Sequence, residues 1–171
     1  MSTDDILGER AARDKFLREH YASPMPDEDQ AVFAGLDYFD HDEQWRLAVL
    51  YQEEPPSEVA VLSTSGTTSG YMKVATVTLA IGASTYRLSV IDDGDGGAFI
   101  PFRDGTCGEA SYGGGRYVDV EHAGVQAFVD FNRARNPWCV YDEEFVCPLP
   151  PQENWIIESI PAGEKDYVKP S

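Results

Sequence analysis

Apolar and polar positions alternate with a period of two through the middle of the chain. Tyr86, Leu88 and Val90, for example, alternate with Arg87 and Ser89, which is typical of a strand whose two faces differ. Similar runs, rich in β-branched and aromatic residues, recur at short intervals between turn sequences. The predicted strands cover residues 46–51, 58–64, 71–81, 85–91, 98–102, 116–120, 125–132 and 155–160.

The first residues of the chain show helical spacing instead. Ala12, Phe16 and His20 lie four positions apart, and aspartates near the start suit the first turn of a helix. We therefore predict one helix over residues 3–20. A second, shorter helix is predicted over residues 27–34, before a glycine that can end it.

The order of these elements defines the expected architecture. Strands follow one another without intervening helices, and the short glycine-containing loop at residues 82–84 is typical of a hairpin. The fold class expected is mainly β (α+β): an antiparallel β-barrel or roll of about eight strands, with the N-terminal helix packed on it. Residues 1–171 would form one domain, with a helical segment at 1–35, a β-rich body at 36–165 and a tail at 166–171.

Charge narrows the classes of partner. The chain has 30 acidic and 13 basic residues, a net charge of −17, which repels nucleic acid and anionic lipid. Such an acid excess predicts a halophilic protein in a salt-filled cytoplasm, the alternative being an ordinary acidic protein. The sequence shows neither a membrane span nor a secretory signal, so a cytoplasmic protein without a membrane partner is expected. A homodimer is a possible form that the sequence does not decide.

The cysteines predict thiols rather than a disulfide framework. Cys107, Cys139 and Cys147 are an odd number in a compartment expected to be reducing. Zinc sites prefer paired ligands two to four residues apart, a spacing that these cysteines lack. We therefore predict no metal site, and no motif indicates a cofactor.

Seven sequence blocks carry a family resemblance. In chain order they are RDKFLREHYASPM, FAGLDYF, PFRDGTCG, YGGGRYVDV, DFNRARNPWC, CPLPPQEN and IPAGEK. Together they resemble the domain of unknown function 1684 family of bacteria and archaea over nearly the whole chain. The family has no assigned function, so the resemblance implies none. One departure is Ala110-Ser111-Tyr112, which stands where the family usually has Glu-Thr-Tyr.

Arg116 is the most informative candidate for a binding site. It opens a predicted strand and shares a face with Val118 and Val120, so it should point inward or lie at the rim of the barrel. An arginine there can bind a carboxylate or phosphate, or it can form an internal ion pair with Asp104 or Asp130. The glycines before it allow either a close approach to a ligand or a tight turn.

Two asparagines extend this candidate site. Asn132 and Asn136 follow the last long strand, where their amides can bond the loop backbone or contact a ligand. The full set of candidate ligand-binding residues is Arg103, Asp104, Tyr112, Arg116, Asp130, Asn132 and Asn136.

The leading hypothesis is a small-ligand binding protein whose barrel cavity holds a polar or anionic head group. The side chains expected to line that cavity are Phe99, Phe102, Tyr112 and Phe128. An alternative is a hydrolase-like enzyme that uses Asp104, Asp130 and Cys139, with its catalytic residues not assignable from sequence. A third possibility is a structural or interaction domain without a ligand.

Overall fold

A computed structural model describes residues 3–169, in which six antiparallel strands close into a barrel. The first strand pairs with the last through Arg46 and Asp130. The mainly β barrel is therefore confirmed, but the expected count of about eight strands is wrong. The strands are β1 (Arg46–Leu62), β2 (Thr68–Ile81), β3 (Ser84–Asp92), β4 (Ala98–Phe102), β5 (Arg116–Ala123) and β6 (Gln126–Asp130).

Two local differences explain the strand count. The prolines at 55–56 do not end β1, because the chain passes them with a shift of register between Glu53 and Ser57. The part of β1 that β6 pairs with is residues 46–49, so the prolines lie on an edge, where a missing N–H breaks no ladder. Residues 155–160 form no strand, and Trp155 makes an isolated bridge to Arg103.

The N-terminal helix α1 (Thr3–Glu19) is confirmed, and it buries Ile6 and Leu17. Helix α2 (Asp27–Gln30) is shorter than predicted. The chain leaves the helical path there and buries Phe33 against Leu17. Four single-turn 3-10 helices complete the elements: Glu43–Trp45, Phe131–Arg133, Trp138–Val140 and Gln152–Asn154.

Apolar side chains fill the inside of the barrel. Phe102 and Phe131 are fully buried there and meet edge to face, with ring centroids 5.0 Å apart. A second cluster, the outer cluster, covers the opposite face of β3 to β5 and includes Ile91, Phe99 and Tyr117. Strand β4 is thus covered on both sides, as its uninterrupted apolar sequence predicts.

The last described residues pack against the rest of the molecule. Tyr167 lies against Phe33, and Lys169 forms an ion pair with Asp29 at 2.8 Å. Of the tail expected at 166–171, residues 170–171 lie outside the described part of the chain. Within residues 3–169, no helix is both long and apolar enough to cross a membrane.

Candidate functional site

Arg116 lies inside the barrel with its side chain fully buried. Its Nη1 donates to the carbonyl oxygens of Ala162 and of Glu164, the latter at 3.0 Å. Its Nη2 donates to the carbonyl of Ile160 at 3.1 Å and forms an ion pair with Asp104 at 3.2 Å. Burial lowers the pKa of Arg116, and Asp104 opposes that effect. The arginine therefore fastens residues 160–164 to the barrel.

Asp104 is also engaged on all sides. Its Oδ2 accepts bonds from the Thr106 backbone N–H at 3.1 Å, the Thr106 hydroxyl at 2.8 Å and the Ile160 N–H at 2.7 Å. Of the alternatives that the sequence left open for Arg116, the structure contains the internal ion pair. A buried carboxylate needs such partners, because removal of an ion from water without compensation is unfavourable.

Three further candidates hold loops together. Asp130 Oδ1 accepts from the N–H and the Nδ2 of Asn132, at 3.0 and 2.9 Å. Asn132 in turn bonds both backbone groups of Asp42. Asn136 Nδ2 donates to the carbonyl of Lys165 at 2.9 Å. These side chains satisfy the backbone of irregular segments, which is one of the two roles that the sequence allowed.

Arg103 lies on the outside of the barrel. Its guanidinium is 5.1 Å from the ring of the half-exposed Trp155. It lines a surface groove together with Gly113 and Gly114, whereas Arg116 is fully buried. The structure therefore separates Arg103 from Arg116.

The four aromatic side chains expected around one cavity do not meet. Phe102 is in the barrel core, whereas Phe99 is in the outer cluster. Tyr112 lines a surface pocket, and Phe128 lies outside the barrel with the Arg46 guanidinium 3.9 Å from its ring centre. The expectation of a shared aromatic lining is wrong because residues an odd number of positions apart on β4 point to opposite faces.

A different cavity, of about 90 Å³, lies between α1 and the segment that follows β6. We call it the arginine cavity, because four of the nine arginines of the chain line it. Ile6, Tyr38, Asn132 and Glu164 contribute to its walls. The four arginines are Arg10, Arg13, Arg133 and Arg135.

Three of these arginines have acidic partners. Arg13 pairs through Nε with the buried Glu164. Arg135 binds Asp119 with two bonds of 2.9 Å. Arg133 pairs with two glutamates, at positions 9 and 121. Their positions are thus set by protein contacts before any ligand binds, which limits the ordering that binding requires.

Arg10 differs from the other three. Its guanidinium lies 4.6 Å from the centre of the Tyr38 ring, and its Nε and Nη2 are shielded from solvent without a hydrogen-bond partner. The Nη2 of Arg13 is in the same state. Burial lowers the pKa of Arg10. Burial also acts to lower the pKa of Arg13, but Glu164 outweighs it and the pKa is raised. Arg10 is therefore the less compensated cation.

The sequence pattern does not predict the arginine cavity, although two features mark some of its residues. Arg133 and Arg135 lie two positions apart in the block DFNRARNPWC, a spacing that can place both side chains on one side of an extended chain. Arg13 and Glu164 also fall in blocks of the family resemblance, RDKFLREHYASPM and IPAGEK. Residues from three separate blocks of the family resemblance therefore line the same cavity.

The groups expected to serve an enzyme are held apart by different neighbours. Asp104 is bound by Arg116, Asp130 by Asn132, and Cys139 packs in the outer cluster. In residues 3–169, no three histidine, cysteine, aspartate or glutamate side chains are grouped so that they could hold a metal ion.

Comparisons with known proteins identify one family and one similar solved structure. The family model described as protein of unknown function (DUF1684) matches residues 31–165. Among solved structures, the chain is similar to the solution NMR structure of an uncharacterized protein from Haloarcula marismortui. The two are 35% identical with a TM-score of 0.71, over 95% of this chain and 92% of that chain. A comparison with curated proteins finds no match.

Proposed function

The chain belongs to the DUF1684 family of proteins of unknown function, and from that premise we propose that it binds a small molecule through a carboxylate or phosphate group in the arginine cavity. The class of ligand is the one expected from the sequence. The proposed binding place differs from the barrel cavity expected from the sequence, because apolar side chains fill the barrel interior.

The unpartnered donors of Arg10 carry this proposal. A buried donor without an acceptor costs about 1–3 kcal/mol, and more when it is charged. The donors without a partner are Nε and Nη2 of Arg10 and Nη2 of Arg13, and an oxyanion that enters the cavity and accepts from any of them removes part of that cost. Guanidinium groups match planar carboxylates and phosphate oxygens, because their N–H groups point in fixed directions.

The charge of the whole chain makes this cavity more selective. With a net charge of −17, the protein repels anions over most of its surface. Three of the four arginines that line the cavity are already paired with carboxylates, so the cavity as a whole carries no large excess of positive charge. Arg10, whose Nε and Nη2 have no hydrogen-bond partner, is the cation left to attract an anion at short range.

The size of the cavity limits what can enter. About 90 Å³ is well below the roughly 300–1,000 Å³ of pockets that enclose drug-sized ligands. The cavity thus suits a small oxyanion, or the head group of a molecule whose remainder extends into solvent. Ile6 and Ala134 in the walls favour an apolar portion next to the charged group.

The test compares R10Q with R87Q. Both variants remove one positive charge, but Arg87 is exposed on β3, away from the cavity. Thermal shift and calorimetric titrations would use phosphate and short-chain carboxylates at constant potassium chloride. We expect the wild type and R87Q to be stabilised by the same anion, and R10Q to lose that response. The Arg10 Nε–H resonance should shift during the same titration.

Two outcomes would contradict the proposal. One is that no anion in the panel raises the melting temperature beyond an equal ionic strength of chloride. The other is that R10Q responds as strongly as R87Q, which would assign any binding to another place.

We propose further that the protein acts in a salt-rich cytoplasm, a proposal supported by its acidic composition.

A further inference from the structure

Cys139 and Cys147 lie in one cluster on the outside of the barrel. Cys147 is a buried member of the outer cluster, Cys139 packs against that cluster, and each cysteine shifts the pKa of the other. Cys139 lies in the 3-10 turn Trp138–Val140. Cys147 is fixed by Thr64, whose hydroxyl accepts from the Cys147 N–H at 3.1 Å and whose N–H donates to the Cys147 carbonyl at 3.0 Å.

The pair is reached from a surface pocket of about 570 Å³. Cys139 lines this pocket together with Thr64 and Tyr112, and Cys147 has 7% of its surface exposed. A small molecule can therefore approach the Cys139 side of the pair, while Cys147 packs among Tyr117 and Phe145.

The surroundings of the two sulfur atoms shift their pKa values in opposite directions. The Cys139 thiol and the backbone N–H groups of Cys139 and Trp138 lower the pKa of Cys147 to about 6, although burial opposes them. The interaction with Cys147, together with burial, raises the pKa of Cys139. Of the two cysteines, Cys147 is therefore the one whose thiolate is favoured.

We propose that Cys139 and Cys147 form a reactive dithiol that reduces hydroperoxides, with Cys147 as the attacking thiolate and Cys139 as the resolving thiol. This site is separate from the arginine cavity and does not depend on the function proposed for it. The geometry that supports it is the packing of both cysteines in one cluster, the fixed backbone of Cys147 and the open pocket at Cys139.

The reaction balances in two steps. The Cys147 sulfur attacks the terminal oxygen of the hydroperoxide and the O–O bond breaks. Cys147 becomes a sulfenic acid, and the leaving alkoxide or hydroxide takes a proton from solvent. The Cys139 sulfur then attacks the Cys147 sulfur, the S–O bond breaks, and water leaves as the disulfide forms. A small-molecule dithiol reduces the disulfide by exchange and is itself oxidised to a disulfide.

Cys107 provides a matched control within the same chain. Its thiol is 3.7 Å from Asp104 Oδ1 and 3.9 Å from the Ser111 hydroxyl, away from the pair. The variant C107S therefore removes one thiol without touching either member of the proposed site. It also leaves two cysteines, so that any intramolecular disulfide in C107S must join Cys139 to Cys147.

The experiment treats the reduced protein with hydrogen peroxide and follows its mass. We expect C107S to lose two hydrogens, with peptide mapping that joins residues 139 and 147, and dithiothreitol to restore them. In C139S, a sulfenic-acid probe such as dimedone should label Cys147. The folded protein should react at least about tenfold faster than the same chain unfolded in urea, because only the fold favours the thiolate.

Three results would overturn the proposal. The first is that C147S consumes peroxide as fast as the wild type. The second is that dimedone labels C139S no faster when folded than when unfolded, a comparison that holds even if C147S fails to fold. The third is that C107S gains only oxygen on methionine and never forms the disulfide.

Discussion

The guanidinium of Arg116 and the carboxylate of Asp104 meet at 3.2 Å, and neither side chain has any exposed surface. Around this pair, Arg116 also binds three backbone carbonyls of residues 160–164. The pair therefore acts as a connection between the barrel and the C-terminal segment. It is not available to a ligand without dismantling that connection.

The variant R116M tests this connection. It leaves Asp104 buried without its cation, so the free energy of unfolding should fall by on the order of 3 kcal/mol. Denaturant titration at constant potassium chloride measures this loss. The control is R87M at an exposed position, where we expect a change within about 0.5 kcal/mol. Equal stability of the two variants would show that Arg116 is not structural.

The melting temperature should rise between low and multimolar potassium chloride. The chain has 30 acidic against 13 basic residues, and salt screens the repulsion among carboxylates that have no cationic neighbour. Replacement of the exposed Glu53 and Glu109 by lysine should reduce the salt requirement, whereas glutamine at both positions should reduce it less. A melting temperature independent of salt would contradict the halophilic interpretation.

Three glycine-to-alanine changes should differ in sign. At Gly163, φ is +78° and a Cβ would lie 2.6 Å from the Ala134 carbonyl, so G163A should lose well over about 1 kcal/mol. Gly82 has φ +58° with open space around it, and G82A should lose about 1 kcal/mol from backbone strain alone. Gly8 lies inside α1 with nothing within 4 Å. G8A should therefore gain about 0.5–1 kcal/mol. Thermal or chemical unfolding of the three variants checks this order, and a destabilised G8A would contradict the exposed position of Gly8.

Stability under reducing conditions should depend on the ionisation of Cys147. Its pKa in the folded protein is about 6, below the ordinary value of 9.0. The contribution of the Cys147 thiolate to the free energy of unfolding is therefore complete above pH 9 and is lost as pH falls from 9 to 6. The pKa of Cys139 is raised, so its contribution is present below pH 9 and is lost above it. The free energy of unfolding of the wild type minus that of C147S should increase from pH 6 to 9. A constant difference would show that Cys147 does not ionise in this range, and C107S serves as the control.

The sequence predicted correctly those elements that depend on residues close together in the chain. The helix at 3–20 and the hairpin loop at residues 82–84 follow from spacing and turn chemistry, and both elements are present. The inward position of Arg116 follows from alternation with Val118, and it is buried. The gap expected between the strands at 46–51 and 58–64 is absent, because a strand can pass through prolines where no neighbouring strand pairs with it. The sequence does not state which strand pairs alongside.

The arginine cavity could not be assembled from sequence alone. Arg13 pairs with Glu164 across 151 positions, and Arg133 pairs with Glu9 across 124. No periodicity relates such distant residues, so the pattern gave no reason to bring them together. The same holds for Cys139 and Cys147, whose eight-residue spacing indicated no site. Their contact arises because the segment around Cys147 is bonded to Thr64, which lies just beyond β1.

The acceptors of Arg116 have a consequence for synthesis on the ribosome. The three carbonyls that receive its guanidinium come 44 to 48 positions later in the chain. While the nascent chain is still shorter than that, the strand that begins at Arg116 can pair with β4, but its guanidinium has only Asp104 to bind. Closure of the barrel interior around that cation must therefore wait for residues 160–164 to leave the exit tunnel. Premature termination before Ile160 would release a chain that contains all six strands but lacks the three carbonyl acceptors of Arg116. A chain destabilised in this way is exposed to cellular proteases.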